Sequence, residues 1–212
     1  MVILYNYGKF NSDLSYTGKP LKMPRIGVDL DDTVIEFVAG LILFHNEKYG
    51  HAHERNQFTN WNIHETWGCT EEEGTRRIVE FYHSDHHQEI GAVPGALEAL
   101  LTLSVDYDLV VITARDAIRA PLVLPLIERH FGSIFSDVHF LGHQMSKGDK
   151  CAELGVRFLV DDALHNAHSV GEKGIPVFLM NQPWNQGTLP RNTIRTANWQ
   201  EVIARERLLH PS

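Results

Sequence analysis

Five short apolar runs constrain this chain more than any other feature: "RIGVDL" (25–30), "YDLVVIT" (107–113), "VHFLG" (138–142), "RFLVDD" (157–162) and "IPVFLM" (175–180). Each is rich in β-branched or aromatic residues and nearly continuous, the pattern of a strand buried on both faces. Such strands need helices on either side, and helix-period segments lie between them. These run from Val34 to Tyr49, with Val34, Phe37, Val38, Leu41 and His45 on one face, then Pro94 to Leu103, Arg119 to Phe131, Ser146 to Leu154 and Ala163 to Lys173. Gly50, Gly132, Gly155 and Gly174 stand where these helices should stop, at positions where left-handed backbone is cheap only for glycine. The alternation predicts an α/β fold built on a doubly wound parallel five-stranded sheet.

One segment breaks the alternation. Residues 51–90 contain no strand-like run, while "TEEE" at 70–73 reads as a capping box opening a helix through about Tyr82. This predicts a small helical cap inserted after the first strand-helix unit, above the C-terminal edge of the first strand. The core is then 25–50 and 91–190, preceded by an N-terminal extension (1–24) and followed by a C-terminal helix or tail (191–212). A chain of 212 residues, 43% of them hydrophobic, can bury such a core without staples. Cys69 and Cys151, the two cysteines, lie far apart with no C-x-x-C spacing, so neither a disulfide nor a zinc module is expected. The net charge of −8 argues against a nucleic-acid polymer as partner. No apolar run is long enough for a signal-peptide core or a membrane span, and the reading is cytoplasmic, with no membrane partner.

"GVDLDDTV" (27–34) sets three carboxylates within four residues directly after the first strand. Crowded anions of this kind need a cation or a phosphate site beside them. In an open α/β sheet, ligands bind beyond the carboxyl ends of the strands. Asp29 and Asp31 leave the first strand there, Thr113 and Arg115 the second, and Asp161 and Asp162 the fourth. If those strands are neighbours, the carboxylates and a hydroxyl converge on one edge, an oxygen-rich set suited to a hard cation such as Mg2+ with a substrate phosphate among its ligands.

With these residues in view, the chain resembles the haloacid dehalogenase-like phosphohydrolases. Asp29-Leu30-Asp31-Asp32-Thr33 matches their D-x-D-x-T first motif, Thr113 their second and the Asp161-Asp162 pair their fourth. The resemblance covers about residues 25–180. The short helical insert, "ITAR" (112–115) and "PWN" (183–185) are most similar to the cytosolic (type C) and mitochondrial 5'(3')-deoxyribonucleotidases and their bacterial relatives. The resemblance implies a Mg2+-dependent phosphomonoester hydrolase that works through an aspartyl-phosphate. It makes Asp29 the nucleophile, Asp31 the general acid and base with its carbonyl on the metal, and Asp162 a metal ligand. Asp161 stands beside it, directly or behind it, and Thr113 binds a phosphoryl oxygen. It also implies a small phosphorylated substrate, of which a nucleoside monophosphate is the favoured kind.

The third motif is a lysine, and "MSKGDKCAELG" (145–155) holds two candidates, Lys147 and Lys150. Lys147 is favoured, because behind a Ser146 N-cap its ammonium and the helix N-terminus meet the phosphate together. Arg115 reads equally as a substrate ligand or as a donor that fixes its loop. Trp61, Trp67 and Phe44 could stack on a base, although aromatics in a small helical insert are more often its only core. "YHSDHHQ" (82–88) lacks a complete set of metal ligands and reads as solvated surface. Trp184 either closes over the site or packs on the sheet edge, the latter being favoured. A phosphate-binding module without turnover, a dehalogenase and a phosphatase of another small metabolite are the competing functions; the first is disfavoured because a binder has no need of Asp31, the second because it does not require Asp31 and Asp162 to hold a metal. A homodimer is left open.

Overall fold

The structure, a computed structural model, describes residues 23–142 and 145–209. The expected N-terminal extension thus lies, up to residue 22, outside the described residues. The elements run β1 (Arg25–Val28), α1 (Phe37–Tyr49), α2 (Ile63–Thr66), α3 (Glu71–Tyr82), α4 (Asp85–Gln88), α5 (Ala96–Leu103), β2 (Asp108–Thr113), α6 (Ala120–Phe131), β3 (Asp137–Phe140), α7 (Lys147–Leu154), β4 (Val156–Asp161), α8 (Leu164–Gly171), β5 (Val177–Met180), β6 (Thr193–Thr196) and α9 (Trp199–Leu209).

All strand pairings are parallel, in the order β3-β2-β1-β4-β5-β6. The order reverses between β1 and β4, the place where such a sheet opens a crevice at its carboxyl edge. Side chains alternate between two apolar layers. Ile26, Val28, Leu109, Val111, Phe158 and Phe178 enter the larger one with α1, α5 and α9, while Val110, Ile112, Leu159 and Val177 join α7 and α8 on the other face. Gly27 sits in the middle of this sandwich. A Cβ there would lie 2.9 Å from the Ile112 side chain and 3.0 Å from that of Leu159, so the central strand admits only glycine without repacking.

The sheet has six strands, one more than expected. The sixth, "TIRT", falls in the segment expected to be tail and pairs with β5 from Val177↔Thr193 to Met180↔Thr196. It carries no continuous apolar run because it is an edge strand, half-exposed on most of its length. Helix α9 follows, and its Trp199, fully buried, donates from Nε1 to the Thr33 carbonyl at 2.8 Å, locking the C-terminal helix under the motif loop.

Between α1 and the Ile35–Ala92 bridge, the chain makes a helical excursion. Thr70 caps α3 as expected, accepting from the Glu73 backbone N–H at 3.2 Å. The Glu73 carboxylate does not complete a box, because Arg76 and Arg77 on the same helix take it instead.

Candidate active site

The motif loop separates its three carboxylates by function. Asp29 follows β1 directly, its N–H donating to Val160 O of β4 at 2.9 Å, and its side chain is buried at the crevice. Leu30 turns into the core and Asp31 returns to the crevice. Asp32 adopts a left-handed backbone (φ 52°), a conformation aspartate tolerates better than most residues. That turn carries its carboxylate away from the crevice. It accepts from the Val38 N–H in the first turn of α1 at 3.1 Å and from Arg55 Nη2, on the excursion, at 2.8 Å. Burial pushes Asp32 up to about 7 despite the pull of Arg55.

The fourth-strand pair divides in the same way. Asp161 ends β4 with both oxygens committed: Oδ1 accepts from Ala163 N at 2.8 Å and Asn166 Nδ2 at 3.1 Å, and Oδ2 accepts from Lys147 Nζ at 2.7 Å. Lys147 opens α7 behind Ser146, whose hydroxyl accepts from the Asp149 N–H at 3.1 Å. The same ammonium donates to Asp29 Oδ1. Asp162 faces the crevice and accepts from Trp184 Nε1 at 2.7 Å through one oxygen only.

Carboxylate oxygens of Asp29, Asp161 and Asp162 all lie within 4.8 Å of one another, with one ammonium between them. That shortage of positive charge shows in the proton affinities. Burial raises Asp29 to about 7, more than Lys147 can offset, and burial with Asp29 and Asp161 nearby lifts Asp162 well above the carboxylate range. Burial by itself would lower Lys147, but Asp161 and Asp29 hold it above its usual value. A divalent cation fits this donor set: hard oxygen ligands, excess negative charge, and free oxygens on Asp29 and Asp162.

A cleft of about 270 Å³ opens here, bounded by Asp29, Asp31, Thr113, Arg115, Lys147 and Trp61 among others. Thr113 ends β2 and accepts the Arg115 N–H at 3.2 Å. The Arg115 guanidinium forks onto Asp31, Nε to Oδ2 at 2.8 Å and Nη2 to Oδ1 at 2.5 Å. It lies over the Phe37 and Tyr82 rings and turns Nη1 toward His87 Nε2 at 3.3 Å. Burial and Arg115 push His87 down to about 4, so at neutral pH it is a neutral acceptor. The guanidinium is thus engaged with Asp31 while remaining on the cleft wall.

Two expected site residues stand elsewhere. Lys150 pairs with Glu153 at 2.9 Å, one turn along the exposed side of α7, because only the first residue of that helix points down the crevice. Phe44 is buried among Phe81, Tyr49 and His86 inside the excursion and faces a separate hollow. Trp67 likewise stacks on His45, centroids 4.2 Å apart. Trp61 alone of the three aromatics lines the cleft, 38% exposed and 5.3 Å from Trp184. Trp184, itself buried, meets the site through its bond to Asp162. Tyr82, His87, His165 and Asn166 also reach the site or its supports. Sequence reasoning passed over His87 because its neighbours His83 and His86 made the whole stretch look like solvated surface, whereas it alone is fully buried.

The sequence pattern of the family described as "5' nucleotidase, deoxy (Pyrimidine), cytosolic type C protein" matches residues 22–209. The chain belongs to this family. It is 25% identical over 185 residues to the protein named "Putative nucleotidase BH1399" of Halalkalibacterium halodurans, covering 86% of this chain and 92% of that protein. Among solved structures, the haloacid dehalogenase-like hydrolase SP0104 of Streptococcus pneumoniae matches with a TM-score of 0.66 at 16% identity, over 87% of this chain and 98% of that one. YfnB of Bacillus subtilis, in a magnesium-bound form, matches at 0.58 and 15%, over 87% and 98%. At these identities the structural likeness establishes the fold. Family membership makes the protein a nucleotidase-type phosphatase, an enzyme acting on a small phosphorylated substrate, on a fold shared with haloacid dehalogenase-like hydrolases. The Asp29, Asp161 and Asp162 carboxylates form a cluster able to hold a metal ion. Among the described residues no helix is long and apolar enough to cross a membrane.

Proposed function

We propose that the cleft hydrolyses nucleoside monophosphates, deoxyribonucleotides foremost, by nucleophilic attack of Asp29 with Mg2+ held by Asp29, Asp162 and the Asp31 carbonyl. The observation that carries this reading is the Lys147 ammonium bridging Asp29 and Asp161 at the carboxyl ends of adjacent strands, with Asp31 and Thr113 on the same cleft. The magnesium-bound form of YfnB supports the choice of ion. When bound, the ion supplies the positive charge that lets a phosphate dianion approach the carboxylates.

The chain's own residues do the rest. An Asp29 oxygen attacks phosphorus, the ester P–O bond breaks, and Asp31 gives its proton to the departing oxygen. Asp31 then takes a proton from water as that water attacks phosphorus, and the bond to Asp29 breaks to release inorganic phosphate. Arg115 holds Asp31 by two parallel hydrogen bonds, so the proton is delivered from one geometry. Lys147 and Thr113 bind phosphoryl oxygens, and Asp161 serves behind them by fixing Lys147. The family description and Trp61 at the cleft mouth favour a nucleoside as leaving group.

Assay against a panel of phosphate monoesters tests the mechanism. Hydrolysis should require Mg2+, stop with EDTA and fall to background in Asp29→Asn with the fold retained by circular dichroism. Activity surviving either treatment would overturn it.

A further inference from the structure

The histidines of 83–87 disperse in the fold, but another set of imidazoles comes together where α1 ends. His45 lies in the penultimate turn of α1 and is fully buried. Gly50, with left-handed backbone (φ 70°), reverses the chain immediately after the helix. Asn46 then grips the returning segment on both sides: its Nδ2 donates to His53 O at 2.9 Å and its Oδ1 accepts from His53 N at 2.9 Å. This reversal lays the His51 ring 4.9 Å from that of His45 and 5.0 Å from that of His53, with His45 and His53 5.3 Å apart. One ring nitrogen from each lies within 4.8 Å of the other two.

Two features separate this cluster from a casual stack of rings. His45 Nδ1 and His53 Nε2 are both buried without a hydrogen-bond partner, an uncommon state for imidazole nitrogens. Burial and the adjacent His51 also disfavour protonation of the other two rings, holding His45 near 4 and lowering His53. His51 is exposed and leaves an approach from solvent.

We propose that His45, His51 and His53 bind a divalent transition metal of the Zn2+ kind through three imidazole nitrogens, with the remaining position open to solvent. Imidazole donors select Zn2+, Ni2+ or Cu2+ over Mg2+, so this site is chemically distinct from the carboxylate cluster. The competitor is Arg77, whose Nη1 lies 2.9 Å from His45 Nε2 and whose charge opposes a cation. Arg77 retains its contact with Glu73 at 2.7 Å and its place over the Tyr49 ring when it yields that nitrogen. His53 precedes Arg55, which ties the excursion to Asp32, so an ion here joins α1 to the root of the excursion.

Titration of the tag-free full chain with Zn2+ in excess Mg2+, followed by calorimetry, tests the site, with Co2+ as a spectroscopic substitute. The expected result is one Zn2+ per chain and the visible absorption of tetrahedral Co2+. His51→Ala, at an exposed position, and His53→Ala should each weaken binding about ten-fold or more, the scale that even supporting residues of a metal site reach. Arg77→Gln should tighten it by removing the competing charge. Equal affinity in wild type and both histidine variants, no binding in excess Mg2+, or any result for Arg77→Gln other than tighter binding would overturn the proposal.

Discussion

The carboxyl edge of the sheet and the helical excursion at 51–90 use the same residue types under different constraints. At the sheet edge, each polar side chain leaves a strand whose position is set by its neighbours, and burial brings Asp29 and Asp161 onto Lys147 and Asp31 onto Arg115, with negative charge left in excess. In the excursion there is no sheet to bury against, so the aromatics must first build a core for themselves. Trp67 does this together with Phe44 of α1, and of the three candidate aromatics Trp61 alone is left to face the cleft. A functional side chain is easier to recognise where the scaffold has already satisfied the need for a core.

The sharpest way to break this contrast is the lysine pair. Lys147→Ala removes the cation between two buried carboxylates, so turnover should fall about 10²-fold or more. Stability should drop by about 3–5 kcal/mol, reduced to the extent that Asp29 takes up a proton. Lys150→Ala touches one exposed pair and should change stability by no more than about 0.5 kcal/mol with kinetics intact. Steady-state kinetics and urea unfolding of both variants read the difference; a crippled Lys150→Ala would reverse it.

The aromatics give the next largest effect. Phe44→Ala and Trp67→Ala should each cost about 3–5 kcal/mol of stability through the cavity they leave, with activity lowered equally on every substrate. Trp61→Ala should leave stability nearly unchanged and raise KM for a deoxyribonucleoside monophosphate about ten-fold, the size of one lost base stack. A small aliphatic phosphate should not notice the change. Parallel losses of kcat/KM on both substrates would refute base stacking at Trp61.

The motif-loop carboxylates and the histidines of α1 and the excursion also carry opposite pH signs. Asp29 and Asp32 rise from 3.8 to about 7 in the fold, so the native state holds protons that the unfolded chain has released. Their contribution to stability is full below about pH 4 and is lost as pH rises through 7. His45 and His87 fall from 6.5 to about 4, so their contribution is full above pH 6.5 and is lost as pH falls through 4. Melting temperatures from pH 4 to 8 should show Asp32→Asn gaining on wild type as pH rises through 7, and His87→Gln losing part of the acid sensitivity. Curves parallel to wild type in both variants would remove these groups as the cause.

Much of the core was legible because continuous apolar runs have few folded solutions. Five of the six strands, and the helices between them, follow from runs that must be covered on both faces, and the parallel order then brings Asp29, Thr113 and Asp161 to one edge. The edge strand β6 was not legible, since a half-exposed strand carries no such run. Nor was the third carboxylate: adjacency in "DLDD" says nothing about the positive φ that sends Asp32 away to α1 and Arg55. Lys147 was preferred over Lys150 on the N-cap, which is a local feature, whereas the choice between core and cleft for Phe44, Trp61 and Trp67 stayed open because sequence pattern cannot say which neighbour covers a face.

The sequence by itself determined the α/β class, the two-sided burial of the central strands, the motif loop after β1 and the helical character of the excursion, because these rest on periodicity, capping and chain order over short spans. Only the tertiary structure decided which polar group meets which. The fork of Arg115 on Asp31, the hold of Trp184 on Asp162 and the Asp32 tie to Arg55 depend on turns, crossovers and side-chain directions. Such contacts are settled by whichever arrangement leaves the fewest buried charges and polar atoms without a partner, a condition on the whole molecule that no local stretch of sequence states.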